Sequence, residues 1–416
     1  MERSLEPSVI KGTVKAPSSK SMTQRAIAAA LLADGQSIIH NPSYCDDSLA
    51  ALSIAVGLGA RVEPQAGEVR IKGSVTLKET KLNCGESGLA IRMFSPIAAL
   101  YPTEITMVGA NSLKKRPMFM IEEALNQLGV RCTSAGGFLP LTIEGPLTGG
   151  RCTIDGSVSS QLLTGLLMAL PLVSKDSEIE VNNLKSKPYI DMTLQILKSF
   201  GITVENDRYN LFHIKGNQKY ASKSYTVEGD WSGGAFLLVA GAINGNLIVE
   251  GLLKESMQSD RSIITALEDA GANMHIGERK IEVTKSELKA FEFNATESPD
   301  LFPPLVALAA YCNGTSSIKG VSRLIFKESN RAKTLQEEFG KMNVKVEIKD
   351  DFMSVTGSRP KGARVESHDD HRIAMAMAVA SLGAEGRVSI RDSQCVAKSY
   401  PSFFDDLKQL GALIHD

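Results

Sequence analysis

One pattern recurs six times in this chain and leaves few folds open. An amphipathic segment ends in Leu-Gly or its like and runs on into two short strand-like stretches around a polar turn. The copies are SLAALSIAVGLGARVEPQAGEVRIKG, FMIEEALNQLGVRCTSAGGFLPLTIEG, YIDMTLQILKSFGITVENDRYNLFHIKG, RSIITALEDAGANMHIGERKIEVTK, RAKTLQEEFGKMNVKVEIKDDFMSVTG and the shorter FFDDLKQLGALIHD. Their helix-closing residues, Gly59, Gly129, Gly201, Gly271, Asn343 and Gly411, are 70, 72, 70, 72 and 68 residues apart. Gly and Asn both tolerate the left-handed backbone that ends a helix, so the fifth copy keeps the role with a different side chain.

Between these copies lies a second series. Six short clusters of Ser, Gly, Asp or basic residues each run directly into an apolar stretch: SSKS from Ser18, GESG from Gly85, SVSSQ from Ser157, DWSGG from Asp230, ESPD from Glu297 and HDDHR from His368. Stretches such as AIAAALLA and IAMAMAVASLGA are apolar on every side, which predicts buried helices. Each repeat then reads as βαβαββ with one buried and one exposed helix. No such unit can cover its buried helix alone, so copies must pack together, as a solenoid or as closed groups of three. The polar clusters are helix N-termini, where free N–H groups and the helix dipole favour anions; gathering them on one face favours the closed groups.

Two groups of three require a boundary between the third and fourth copies, at TVEGDWSGG. The last copy stops without its second hairpin, and the segment around Ser8 to Val14 is expected to supply the missing part. The expected domains are therefore 18–228 and 1–17 plus 229–416, with a two-strand hinge near 15–18 and 227–231.

Composition narrows the function classes. With 416 residues, 43% hydrophobic content and a net charge of −1, nothing favours nucleic acid or a membrane surface as partner. Six scattered cysteines without zinc spacing, and an N-terminus without a signal-like apolar stretch, fit a cytoplasmic protein and argue for no metal.

Cations accompany many of the helix starts and turns: Lys20, Arg25, Arg92, Arg116, Arg323, Lys327, Arg331, Arg372 and Lys398. Brought together they would repel unless acidic side chains or anionic ligands compensate them. Ser160 and Ser186 offer hydroxyls suited to a phosphate, or are simple helix caps. Arg92, inside an apolar run, is either a ligand contact or a structural ion pair. Asp300 is a general base or an N-cap; Glu328 is an acid or base, or balances its cationic neighbours.

Taken in order, PSSKSMTQR, GESGLAIR, GSVSSQLLTGLLMALPL, SKPYIDMT, FKESNR, DDHRIAMAMAVASL and CVAKSYPSFF resemble the 5-enolpyruvylshikimate-3-phosphate synthases over essentially the whole chain. The resemblance implies an α/β (α+β) fold of two globular domains, each of three βαβαββ repeats, the inside-out α/β barrel of the enolpyruvyl transferases, with the ligands in a cleft between them. It implies transfer of the enolpyruvyl group of phosphoenolpyruvate to the 5-hydroxyl of shikimate 3-phosphate with release of phosphate, in the shikimate pathway to chorismate and the aromatic amino acids, by a monomer needing no cofactor.

Carried over motif by motif, the resemblance places Lys20 at both substrates and Ser21 and Arg25 at the shikimate carboxylate. Ser159, Ser160 and Ser186 hold the shikimate phosphate, and Gln161 lies between the ligands. Arg116, Arg331, Arg372 and Lys398 clamp phosphoenolpyruvate beside Gly88. Asp300 is the base, Lys327 lies beside the shikimate ring with Arg323 nearby, and Glu328 and Lys398 are both candidates for the acid. Glu86, Leu89 and Asn330 depart from the family pattern, and Arg323 stands where it commonly has Asn. Two rival readings are the sister enzyme acting on UDP-N-acetylglucosamine, whose loop cysteine is absent from LKKRPM, and a non-catalytic relative.

Overall fold

The computed structural model describes residues 1–416 apart from Val75 and Val158, the latter in the SVSSQ cluster. The chain divides into two compact units, Ser18–Val227 and Met1–Pro17 with Glu228–Asp416. The fold is mixed α/β.

Each repeat builds one four-stranded sheet, and the same pairing occurs six times. In the second, third, fifth and sixth repeats the strand before the buried helix lies parallel to the strand after it. In the first and fourth the parallel partner is Ser224–Thr226 and Ile10–Lys15 respectively, and in each of these sheets two further strands add antiparallel. A parallel pair needs a crossover, and in those four repeats the buried helix is that crossover. The helix-closing residues behave as their sequence predicts: all six have positive φ, Asn343 at 61°.

In the unit 18–227 the buried helices are Lys20–Leu32, Gly88–Ala98 and Gln161–Ala169. In the other they are Trp231–Asn244, Phe302–Ala309 and His371–Ser381. Each trio lies in a single apolar core. Their approach is close: a Cβ on Gly165 would come within 2.6 Å of the Met93 carbonyl oxygen, so only glycine lets these two helices meet.

The expected source of the missing part is corrected by the pairing. Glu2–Glu6 completes the last repeat, lying antiparallel to Val388–Arg391 and Leu413–His415. The segment Ile10–Lys15 instead pairs parallel with Gly245–Glu250 and opens the fourth repeat. The physical reason is symmetry within the repeat. The fourth copy needs a strand ahead of its buried helix, and the nearby candidate, Ser224–Thr226, is already parallel to Gln36–His40 of the first copy. Pro7 separates the two N-terminal strands, because it can donate no ladder hydrogen bond.

Candidate active site

All six polar clusters lead into helices, but they are not equivalent. In the unit 18–227, Ser19 caps the first helix through its side chain, and Lys20, the first helical residue, places Nζ 2.8 Å from Asp47 Oδ2. One turn on, Arg25 is buried. Its Nε donates to Thr193 Oγ1 at 3.0 Å, and its Nη atoms donate to the carbonyls of Ser21 and Tyr189 and to Thr164 Oγ1. Burial pulls its proton affinity down, to a pKa of about 10. Thr164 and Thr193 were not singled out by sequence; hydroxyls interrupting apolar helices were the available signal.

Ser160 occupies the N-cap position of Gln161–Ala169 but makes no side-chain capping bond; the Ser159 hydroxyl accepts from the Gln161 N–H instead, at 3.1 Å. Ser186 stands before helix Lys187–Ser199 in the left-handed region (φ 59°), again without a side-chain cap. A non-glycine residue held there is uncommon and clusters at functional sites. Arg92 donates to Gln161 Oε1 at 2.9 Å and to the Pro117 carbonyl at 3.3 Å, linking Gln161 to the segment that carries Arg116.

Arg116 is 8% exposed. Its guanidinium lies against Gly88, the first residue of helix Gly88–Ala98, so closely that a Cβ there would sit 2.5 Å from Nη1. Its Nε has no hydrogen-bond partner, and among the described residues it has no carboxylate partner. A cation over the positive end of a helix dipole is unfavourable by itself and favourable once an anion lies between them. Glu86 does not supply that anion. Its carboxylate accepts from Asn111 Nδ2 and from the Ser112 hydroxyl and N–H, so it fastens the turn Asn111–Lys115 that leads to Arg116.

In the other unit the cations meet carboxylates. Arg331 opens helix Arg331–Lys341 and is fully buried. It donates to Asp370 (2.7 Å), Asp300 (2.8 Å) and Glu328 (2.6 Å). Asp300, 19% exposed, also takes Lys327 at 3.0 Å and Arg372 at 3.0 Å. It is no N-cap; it lies inside the turn Pro299–Leu301 with its oxygens turned to three cations. Burial alone would raise its pKa, but Arg372, Lys327 and Arg331 together outweigh burial and hold it well below the usual carboxylate range. Burial also lowers the Lys327 pKa, with Asp300 opposing. Arg323, in the turn Val321–Leu324, is near enough to add to that lowering.

Asp370, which sequence reasoning passed over within DDHR, joins the group: its side chain caps helix His371–Ser381 by accepting from the Arg372 N–H and holds Arg331 as well. Lys398 donates to the Asp369 carbonyl at 2.6 Å. His368 and Asp369 both have positive φ, and Glu338 secures that bend by bonding His368 and the Glu366 N–H. Glu337, Glu338 and His368 have ligand atoms within 4.8 Å of one another, but both Glu338 oxygens already accept from Lys341, so the group serves as a loop anchor. Asn330 caps its helix by accepting from the Lys333 N–H, a role open to Asn and Asp alike. Within this unit, then, acidic side chains compensate Lys327, Arg331 and Arg372, and repulsion among them does not by itself require an anionic ligand.

A family model described as EPSP synthase (3-phosphoshikimate 1-carboxyvinyltransferase) matches residues 5–407. The chain belongs to the EPSP synthase family. It is 37% identical to the 3-phosphoshikimate 1-carboxyvinyltransferase of Clostridium novyi over 99% of this chain and 97% of that one. It is 39% identical to the protein of the same name from Thermococcus kodakarensis, over 96% and 98%. The crystal structure of EPSP synthase from Acinetobacter baumannii superposes with a TM-score of 0.84 at 26% identity, covering both chains completely. This membership favours the shikimate reading over the UDP-sugar rival. Among the described residues no helix is long and apolar enough to cross a membrane.

Proposed function

We propose that this chain transfers the enolpyruvyl group of phosphoenolpyruvate to the 5-hydroxyl of shikimate 3-phosphate, giving 5-enolpyruvylshikimate 3-phosphate and phosphate. The observation that carries the reading, beside family membership, is Arg116: a buried guanidinium over a helix N-terminus without a carboxylate partner calls for an anion such as phosphoenolpyruvate.

In this reading Lys20, Ser21, Arg25, Ser159, Ser160, Gln161 and Ser186 hold shikimate 3-phosphate together with Lys327 and Arg323. Arg116, Arg331, Arg372, Lys398 and Gly88 form the phosphoenolpyruvate site, reached also by Lys20 and Gln161. Asp300 accepts the proton of the 5-hydroxyl as its oxygen bonds to C2 of phosphoenolpyruvate, and Glu328 or Lys398 protonates the methylene carbon. The tetrahedral adduct then loses that carbon's proton and its phosphate, restoring the double bond. Ionisation of Asp300 suits a base, and the surrounding cations suit the departing phosphate.

The two units serve as the domains, with hinge strands near 15–18 and 227–231. The six cysteines, all free and buried, suit a reducing cytoplasm, and the active form is taken as a monomer, to be checked by sedimentation. Purified protein should release phosphate only with both substrates present. No release above single-substrate controls would end the proposal, and release with a UDP-amino sugar would favour the rival. Asp300→Ala should lose turnover by orders of magnitude while still binding shikimate 3-phosphate; near-wild-type turnover would remove it as base.

A further inference from the structure

Beside Asp300 lies a second buried carboxyl that the proposed chemistry leaves unused. Asp260 sits in the short turn Ser259–Ser262 and is 2% exposed. One oxygen, Oδ2, accepts from the Ser232 hydroxyl; the other, Oδ1, has no hydrogen-bond partner. The turn is bound to the segment leading into Asp300, since Ser259 Oγ donates to the Glu297 carbonyl at 2.8 Å and Ser262 Oγ to Ser298 Oγ at 3.3 Å.

The charged groups that face Asp260 come from three further elements. Asp230 caps helix Trp231–Asn244, Asp300 approaches from Pro299–Leu301, and Arg372 from helix His371–Ser381. Arg372 is paired with Asp300 at 3.0 Å, and its charge also bears on Asp260. Two carboxylates near one another in a buried site do not both ionise freely; one keeps its proton to a higher pH. Which one is decided by surroundings. Asp300 also pairs with Lys327 and Arg331, whereas Asp260 has a hydroxyl and an oxygen without a hydrogen-bond partner. Burial first, then the Asp300 charge, push the Asp260 carboxyl up to about 6, with Arg372 and Ser232 opposing.

We propose that Asp260 is a positioning residue for the proposed base: by releasing its own proton it strengthens the grip of Asp300 on the proton taken from the attacking hydroxyl. Resting on the reading of Asp300 as base, this extends the site by a residue that touches no substrate. The sign follows from electrostatics. While Asp260 is neutral, three cations hold Asp300 as a weak base. Once Asp260 ionises, a negative charge opposes those cations and the proton affinity of Asp300 rises. Turnover should therefore climb as pH rises through the ionisation of Asp260.

The experiment is the pH profile of kcat with both substrates saturating, for the full-length wild type, Asp260→Asn and Ser232→Ala. Substrate phosphates titrate in the same range, but identically for all three proteins. The wild type should gain roughly tenfold across a limb near pH 6 in excess of Asp260→Asn, since one pKa unit is tenfold in proton affinity. Asp260→Asn should stay near the wild-type acid plateau. Ser232→Ala removes a donor to the ionised form and should move the limb to higher pH. An Asp260→Asn profile that superimposes on the wild type overturns the proposal. If that variant fails to fold, an unmoved limb in Ser232→Ala overturns it instead. Either result leaves Asp300 as base intact, whereas undiminished turnover in Asp300→Ala removes the base reading itself.

Discussion

Gly88→Ala tests the contact on which the proposed phosphoenolpyruvate site rests. The new Cβ would lie 2.5 Å from Arg116 Nη1, 2.8 Å from Cζ and 3.0 Å from Nη2, where ordinary contact begins at 3.4 Å. The guanidinium must withdraw by about 1 Å, and as the far end of a flexible side chain it can do so. Gly88 is helical and not in the left-handed region, so the methyl brings no backbone strain. Stability should hold or improve slightly, because Ala is the better helix former by up to about 1 kcal/mol. What suffers is the anion contact. A hydrogen bond to a charged group contributes about 1.5–3 kcal/mol, and weakening it by that amount lowers kcat/KM roughly ten- to a hundredfold. Initial rates should show that loss against phosphoenolpyruvate, with the KM for shikimate 3-phosphate changed less than about twofold. An Arg116→Ala background should abolish the effect, since the two changes act through one guanidinium. Unaltered kinetics with phosphoenolpyruvate, or an effect that persists without Arg116, would refute the reasoning.

Arg331→Gln should destabilise the protein by about 3–5 kcal/mol in urea unfolding, because three buried or half-buried carboxylates lose their shared cation; an unmoved midpoint would contradict the pairing. Glu86→Ala frees the turn that carries Arg116 and should raise the KM for phosphoenolpyruvate severalfold, while Glu86→Gln, which keeps an acceptor, recovers part of it; equal KM values in all three proteins would count against this anchoring. Asp260, whose folded pKa is raised, adds stability in full below the unfolded value near 4, and loses it as pH climbs through about 6. Asp260→Asn should therefore gain melting temperature on the wild type between pH 5 and 8, and a constant difference across that range would sink the assignment.

How much of this could be read from the chain depends on how local each determinant is. A helix end needs one residue able to adopt positive φ, so all six ends were legible, Asn343 included. Strand pairing is different. Glu2–Glu6 and Ile10–Lys15 are both short, half-apolar strands, and which sheet receives each is settled by partners more than 200 residues away in sequence. The missed site residues share a property too. Asp47, Thr164, Thr193 and Asp370 act on cations that the motifs did reveal, but each lies on another element, so spacing along the chain carries no trace of the contact.

The charge argument is where structure alters the sequence reading most. A crowd of cations implied anionic ligands only so long as no carboxylates were present, and Asp300, Glu328 and Asp370 are present around Arg331. An anion entering there displaces nothing for free, because it must compete with carboxylates that already satisfy the guanidinium. At Arg116 the argument keeps its force: burial and the helix N-terminus beneath both disfavour the charge, and no acidic side chain among the described residues relieves it. If phosphoenolpyruvate binds as proposed, removing Arg116 should therefore weaken it while leaving the fold as stable or more so, and removing Arg331 should cost fold and ligand together. Equal losses of stability in the two variants would mean that Arg116 is also compensated, and that the anion has no special claim on it.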